Sequence, residues 1–546
     1  MQTTDRQTQQ AETNERPNRF LVLGSGIAGM AAAEEIRRRL PDAEIRMVSE
    51  EEECCFNRPM LIQGIAAEDG AADLFVNQND WAAQQRVELL LGRRAAAIDL
   101  QAHSVRLQPI DGGREEELSY DRLIYAAGAA AAVPAIPGAD GVQVYALRTL
   151  SDMRQIHRAA LEAETAVVIG GGMLGLEQAW QLQQRGLAVT VLEREERLMP
   201  GQLDRTGADL LKRRIERCGA RVITGADIER IEAGRVLLRK APEEAVPKPA
   251  AKEPQAAPAA GGAAPVQSET DETKAALDGG TGHDAGTGQN AERAGNAGAG
   301  PDTLDAEVKK ASDHVVSDQE LREAFIVLNQ ERQRTPAREK LFHTGREIPA
   351  DMVILSTGVT PSIEPGRSAG LRCGGRGGRW IDVDEQMRTS DADIFAAGDT
   401  AALHGHNDAV WDEARAMGRV AGANAAGGRE TYHPVLQSHV FNGFDTELFT
   451  MGKSSGEGTD GVFLRHADVE VFDFRRERYV RVSLDHGRVA GILLINAVEL
   501  ATELIALCQR GGSEEEARRI LLAWRENHKV DFKQPTSTFR SRTHPR

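Results

Sequence analysis

At 546 residues the chain is too long for a single hydrophobic core, and its length implies about three domains. Its formal net charge of -17 argues against a nucleic-acid partner, and no apolar run reaches the ~18 residues that a membrane-spanning helix needs. Five cysteines, Cys54, Cys55, Cys218, Cys373 and Cys508, form no C-x-x-C pair, which predicts free thiols in a reducing, cytoplasmic compartment and no metal or cysteine-ligated iron–sulfur site.

In chain order, residues 1–18 are polar, hold no apolar segment of the kind a secretory signal requires, and read as a disordered N-terminus. Residues 20–240 then alternate short apolar strands with amphipathic helices, the pattern of a parallel α/β sheet covered on both faces. The first strand, Phe20-Leu-Val-Leu, leads directly into Gly24-Ser25-Gly26-Ile27-Ala28-Gly29 and an alanine-rich helix. Gly24 permits the tight turn, Gly26 lets the backbone approach a diphosphate, and Gly29 lets helix and strand pack closely. The diphosphate would sit at the positive helix N-terminus, against N–H groups that have no partner within the helix. The next strand, Ile45-Arg-Met-Val-Ser, ends on Glu50 and Glu51 about 20 residues later, where ribose hydroxyls call for an acid. Spacing does not choose between the two.

The arrangement then recurs. Ala166-Val-Val-Ile-Gly170-Gly-Gly172-Met173-Leu-Gly175 again joins strand to helix, and Ala188-Val-Thr-Val-Leu-Glu193 again ends on an acid. Two such units predict two dinucleotide sites. Glu193 would accept hydrogen bonds from a ribose 2′-OH and repel a 2′-phosphate, which favours NADH over NADPH, while Arg194 and Arg197 lie close enough to soften that choice.

Composition shifts abruptly over residues 241–313, where 13 acidic and 6 basic side chains sit among Ala, Gly and Pro with few large apolar residues. Such a stretch cannot bury enough surface to offset its ordering entropy, and it reads as a disordered insertion between two strands. Apolar runs resume at 324–328 and 352–355, followed by a strand–turn–helix pattern over 393–427. His404, His406 and Asp408 in that pattern read as a polar loop, since no fourth ligand accompanies them. Residues 432–530 form a separate α/β stretch, with strands expected at 469–472, 479–484 and 489–495 and helices at 498–509 and 514–524. Residues 531–546 read as a frayed basic tail.

Two dinucleotide units in this order resemble the pyridine nucleotide-disulfide oxidoreductase superfamily of FAD enzymes. Tyr120-Asp-Arg-Leu-Ile-Tyr-Ala-Ala127-Gly128 is similar to that family's strand ending in Ala-Thr-Gly, with Ala127 in place of Thr. Asp351-Met-Val-Ile-Leu-Ser-Thr-Gly358-Val-Thr-Pro361 is similar to its counterpart after the NAD domain. Asp393-Ile-Phe-Ala-Ala-Gly398-Asp399 is similar to the late motif whose aspartate binds the FAD ribityl chain, and Asp399 also suits the N-cap of the next helix. The likeness covers roughly 19–240 and 315–430. It implies an α/β fold of two Rossmann-like three-layer dinucleotide-binding domains plus a smaller α/β C-terminal interface domain. FAD would bind 19–145 with 350–430, NAD would bind 146–349, and the domain at 431–530, which usually makes a dimer in the family, would follow.

Glu53-Cys54-Cys55-Phe56-Asn57-Arg58-Pro59-Met-Leu61-Ile-Gln63 resembles the Tyr-x-Arg-Pro-x-Leu-Ser-Lys segment of rubredoxin and ferredoxin reductases and of the flavin head of nitrite reductases. The resemblance sets Arg58 near the isoalloxazine ring, with Pro59 stiffening the turn. It also sets Gln63 where the family has a lysine paired with the glutamate that matches Glu177, so Gln63 and Glu177 become the candidate catalytic pair, joined by a hydrogen bond at most. Trp411 heads a helix that resembles the one starting under the flavin, although core packing suits it equally. The implied function is hydride transfer from NADH to FAD, with electrons passed on to a rubredoxin, a ferredoxin or a nitrogen-oxide reductase. The C-x-x-x-x-C of the family's disulfide reductases is missing. A second branch uses a single flavin-facing cysteine, so a thiol-dependent NADH oxidase, peroxidase or small disulfide reductase using Cys54 or Cys55 is the alternative. A flavin-bearing scaffold or redox sensor is the third reading, and Cys218, Cys373 and Cys508 are structural.

Overall fold

The strand before the first glycine turn, Arg19–Leu23, is buried at every position after its first. Burial without alternation means that both its faces are covered. In the computed structural model, which describes residues 17–53, 56–67, 78–240, 345–434, 436–454, 469–473 and 476–527, this strand is the centre of a parallel sheet of five. The order is Ile394–Ala396, Arg122–Tyr125, Arg19–Leu23, Glu44–Val48, Val87–Leu90. One core joins that sheet to the helices Ile27–Arg39 and Trp411–Ala425 and to an antiparallel sheet of Arg93–Asp99, Ser104–Pro109 and Glu116–Ser119. The two helices meet backbone to backbone. A Cβ on Gly418 would lie 2.1 Å from the Ala28 carbonyl oxygen, and one on Gly422 2.3 Å from that of Ala32.

The second unit repeats the plan. Its parallel sheet runs Arg221–Thr224, Ala188–Glu193, Thr165–Ile169, Met352–Leu355, Val144–Ala146. Strand periodicity explains its three layers. Ala166 and Val168 share a core with residues of the helices Leu150–Glu162, Met173–Gln184 and Arg205–Arg217. Val167 and Ile169, pointing the other way, share a core with the antiparallel strands Ile228–Glu232, Gly234–Leu238 and Glu347–Ala350. These are the two Rossmann-like domains that the glycine turns imply. The sequence boundary at 349/350 falls inside the second of them, because Met352–Leu355 pairs with Thr165–Ile169 and not with the first sheet. A four-residue apolar run carries no mark of which parallel sheet it will join.

The C-terminal part is a five-stranded antiparallel sheet, Ser438–Gly443, Thr446–Gly452, Arg488–Ile495, Arg478–Asp485, Val469–Asp473. The expected strands and helices are present, and a hairpin of Ser438–Gly443 with Thr446–Gly452 adds two strands that sequence reading passed over. Alternation again separates the faces. Leu493 and Ile495 pack into the helix-side core of the second domain, and Ile492 and Leu494 pack against Ala501–Gln509 and Glu514–Asn527. Polar ties hold the join: Asp204, the N-cap of Arg205–Arg217, accepts a hydrogen bond from the Tyr479 hydroxyl at 2.8 Å and pairs with Arg481 at 3.0 Å. Among the described residues no helix is long and apolar enough to cross a membrane. The expected insertion at 241–313, Cys54 and Cys55, and the tail at 531–546 lie outside the described residues.

Candidate functional site

Both glycine turns are built the same way. Gly24 and Gly170 have φ of +107° and +117°, where an L side chain is strained, and a Cβ on either would strike a carbonyl oxygen, that of Ala126 at 2.0 Å or of Ser356 at 2.2 Å. Each donates its N–H to the end of the neighbouring strand, Gly24 to Val48 and Gly170 to Leu192, both at 2.8 Å. The third glycines fit the helix against the turn: a Cβ on Gly29 would sit 2.0 Å from the Gly24 oxygen, and one on Gly175 2.1 Å from the Gly170 oxygen. The middle glycines differ. Nothing lies within 4 Å of a Cβ placed on Gly26 or Gly172, yet both cap helices whose first N–H groups lack intrahelical acceptors. Space in front of unpaired N–H donors at a helix N-terminus is what a diphosphate requires.

The first turn is completed by acids that the structure tells apart. Glu50 is exposed and paired with Arg94 at 3.1 Å. Glu51 is partly buried, bonds Arg58 through Oε1 at 2.7 Å, and keeps Oε2 buried with no hydrogen-bond partner among the described residues. A buried carboxylate oxygen without a donor calls for one, and ribose hydroxyls are such donors, so Glu51 fits the nucleotide better than Glu50. Ser25 donates to Ser49 at 2.8 Å beneath the turn. Ile27 and Ala28 open the helix Ile27–Arg39, and the Ala28 methyl packs on Gly398, whose added Cβ would lie 2.9 Å away. Its side chain is thereby core, leaving the backbone to face a ligand.

Arg58 heads the 3-10 segment Arg58–Ile65 with Pro59 in its first turn. It rests 4.9 Å from the Phe56 ring centroid and reaches the Arg148 carbonyl as well as Glu51. Arg148 in turn bonds the Ala129 carbonyl at 2.8 Å and forms an ion pair with Asp399. Sequence reading missed Arg148. Its neighbours Thr149 and Asp152 form a capping box on Leu150–Glu162 that a Thr-x-x-Asp scan would find, but nothing local points to Asp399. Asp399 lies in the 3-10 turn Gly398–Thr400, after Gly398 at φ +72°, and caps no helix among the described residues. Asn407 ties the following loop back to the Gly398 and Ala401 carbonyls at 3.0 and 2.6 Å. Ala127 and Gly128 follow the strand Arg122–Tyr125, and Gly128 accepts from the Ser362 N–H at 3.0 Å. Gly358 has φ +94° with open space beside it, and its carbonyl accepts from Ala132 at 2.9 Å.

At the second turn, Met173 opens the helix Met173–Gln184. Glu193 is buried, and its two oxygens accept from the Gly171 N–H at 2.6 Å and the Glu195 N–H at 2.8 Å. The carboxylate is fixed at the strand end with lone pairs to spare for a ribose. Arg197 spends its guanidinium on the Leu203 and Pro200 carbonyls, and Arg194 stands exposed beside Glu195. Arg197 therefore has little left with which to meet a 2′-phosphate.

Glu177, one turn into that helix, is pushed up to about 7 by burial alone. Its helix contacts the Arg58–Ile65 segment, yet Gln63 is exposed and no hydrogen bond joins it to Glu177. The expected bond between them is therefore not made: a neutral amide gains little over water, so nothing draws it inward as a lysine would be drawn. His406 pairs with Asp408 at 3.0 Å and His404 with Glu385 at 3.3 Å, and among the described residues no three His, Cys, Asp or Glu side chains could hold a metal. Trp411 is half-buried at the start of Trp411–Ala425. Burial pushes the Cys218 thiol up to about 12 and raises that of Cys508, which leaves both poorly nucleophilic.

A family model described as pyridine nucleotide-disulphide oxidoreductase matches residues 18–246 and 304–427. An NADH oxidase of Methanocaldococcus jannaschii is 25% identical over 446 residues, 79% of this chain and 75% of that protein. The ferredoxin–NAD(+) reductase component of the biphenyl dioxygenase system of Paraburkholderia xenovorans is 25% identical over 382 residues, 70% of this chain and 67% of that protein. Among solved structures, a ferredoxin reductase from Rhodopseudomonas palustris aligns with a TM-score of 0.65 at 19% identity, covering 94% of this chain and 100% of that one, a likeness of fold.

Proposed function

Because this chain belongs to the pyridine nucleotide-disulphide oxidoreductase family, whose members work with FAD and NADH or NADPH, we propose that it oxidises NADH and passes the electrons singly to a ferredoxin- or rubredoxin-type carrier or to a nitrogen-oxide reductase. The observation that carries this reading is the pair of matching glycine turns, each with open space over its middle glycine. When bound, FAD accepts hydride from the nicotinamide and can release electrons one at a time. The task of this chain is then geometric: to hold two nucleotides so that their rings meet, and to keep water out. Gly26 and the helix Ile27–Arg39 would hold the flavin diphosphate, Glu51 its ribose, and the Arg148–Asp399 pair its ribityl side. Gly172 and Glu193 would hold NADH, with the fixed carboxylate of Glu193 disfavouring NADPH.

The ferredoxin reductase relative supports a one-electron acceptor, as does the lack of any cysteine on Ile27–Arg39. A thiol-dependent NADH oxidase using Cys54 or Cys55 is the second reading, favoured by the name of the Methanocaldococcus relative. A homodimer and a cytoplasmic location accompany the proposal. Turnover with NADH and a panel of ferredoxins and rubredoxins, compared between the native protein and the Cys54→Ser/Cys55→Ser double variant, separates the two readings. Equal carrier reduction by both proteins is expected. Loss of all turnover in the double variant, with oxygen or a disulfide as the better acceptor, would transfer the function to the thiols.

A further inference from the structure

The 3-10 segment Arg58–Ile65 leaves the first domain and packs on the second. Ile65 is fully buried in one core with Ile156, Leu176, Ala179 and Leu182, and Phe56 and Leu61 share another with Leu150 and Met153. The contact is close enough to require glycine at position 64, where a Cβ would lie 2.8 Å from the Met153 sulfur. The helices Leu150–Glu162 and Met173–Gln184 thus carry the segment, and the segment carries Arg58 to Glu51 of the first cradle.

Apolar burial is non-directional, so it sets how deep the segment lies better than where it lies along the helices. The expected polar tie between Gln63 and Glu177 is not made. Arg185 makes another. It is the half-buried C-cap of Met173–Gln184, at the end opposite Gly172. Its Nε donates to the Ile65 carbonyl at 2.6 Å, and its Nη2 donates to the Ala67 carbonyl at 3.2 Å. The last carbonyls of a helical segment find no donor within it, which makes them the natural acceptors for such a cation. The same Nη2 lies 3.1 Å from His157 Nδ1 on the helix Leu150–Glu162. One guanidinium therefore joins the segment to both helices. Arg185 forms no ion pair among the described residues, so its planar fork is given over to this junction.

We propose that Arg185 is a positioning residue for hydride transfer, an inference that rests on the NADH-to-flavin reading above. It locks the segment that bears Arg58 to the helix that starts at the NADH cradle, and so holds one cradle in place against the other. It acts through Arg58 and Met173–Gln184 and not on the reacting atoms. The tie lies about 12 Å further along the helix than Glu177, and it supplies the polar anchorage that Gln63 forgoes. A misplacement of about 1 Å between reacting groups costs on the order of 10²-fold in rate, so a loosened segment should be felt in the hydride step before it is felt in binding.

The test uses the FAD-loaded protein with Arg185→Met, which removes both bonds, and Arg185→Lys, which keeps the charge and one bond. In anaerobic rapid mixing, flavin reduction at saturating NADH should slow about tenfold in Arg185→Met and about threefold in Arg185→Lys. NADH affinity and flavin content should stay at native values. Amide hydrogen exchange without NADH should quicken about tenfold over residues 58–67 in Arg185→Met while the strand Arg19–Leu23 keeps its protection. Arg185→Lys carries the test if the methionine variant does not fold. The role of Arg185 is overturned if the variants are reduced as fast as the native protein, or if NADH affinity falls and the saturated rate does not. It is equally overturned if exchange over 58–67 is unchanged or if Arg19–Leu23 loses protection in step with it, the mark of general loosening. Failure of the oxidoreductase reading looks different, since the native protein itself would then not be reduced by NADH.

Discussion

The guanidinium of Arg148 closes on the carboxylate of Asp399, 251 positions further along the chain. The two are 22% and 13% exposed, so each would be left largely desolvated without the other. Arg148→Met should therefore cost about 1–3 kcal/mol of stability and weaken FAD binding about tenfold. Arg148→Lys should restore much of the stability but not the bond to the Ala129 carbonyl. Thermal unfolding and FAD dissociation measured on both variants check this.

A methyl group on either middle glycine separates the two cradles. Gly26 has φ -72° and Gly172 φ -77°, values that alanine adopts without strain. Gly26→Ala should change stability by less than about 1 kcal/mol yet lose FAD, because the methyl occupies the space a diphosphate needs. Gly172→Ala should keep FAD and lose NADH. Flavin content and NADH binding by difference spectroscopy report each loss separately.

The two adjacent acids should behave unequally. Glu51→Gln leaves a buried site without its charge and reduces the ion pair with Arg58 to a neutral hydrogen bond, so FAD affinity should fall about tenfold. Glu50→Gln removes only an exposed ion pair and should leave FAD affinity within about twofold. Fluorescence titration of the FAD-free proteins measures both.

How far the sequence could reach follows from these same residues. The cradles were legible because everything that makes them lies within a dozen consecutive positions: a buried strand, three glycines and a helix start. The choice between Glu50 and Glu51 was not, because both satisfy the spacing and only their partners in the fold, Arg94 for Glu50 and Arg58 for Glu51, tell them apart. Arg148 was hidden for the same reason, its partner being defined by the return of the chain in the strand Ile394–Ala396. Gln63 could be read as a departure from the family, but only the fold shows that it faces solvent and leaves Glu177 without a hydrogen-bond partner among the described residues. The placement of Met352–Leu355 in the second sheet was likewise beyond local pattern, since an apolar run of that length fits either.

Glu177 gives a prediction in pH. Its folded value of about 7 lies above the ordinary 4.5, so the folded protein keeps a proton that the unfolded chain gives up. Below about pH 4.5 both forms are protonated and no stability is lost. As pH rises from there to about 7 the unfolded chain binds fewer protons, and stability falls by linkage until the folded group has also ionised. Glu177→Gln should abolish that slope, leaving the protein as stable as the native one at low pH and more stable above pH 7. Unfolding midpoints measured across this range test it.

Anaerobic rapid mixing of NADH with the FAD-loaded protein is the most direct measurement of whether the two cradles bring their rings together. The flavin absorbance should bleach in a single exponential faster than steady-state turnover, and Gly172→Ala should abolish the bleaching while retaining bound FAD. A protein that stays colourless after incubation with FAD, or whose bound flavin is not reduced by saturating NADH, would contradict the assignment.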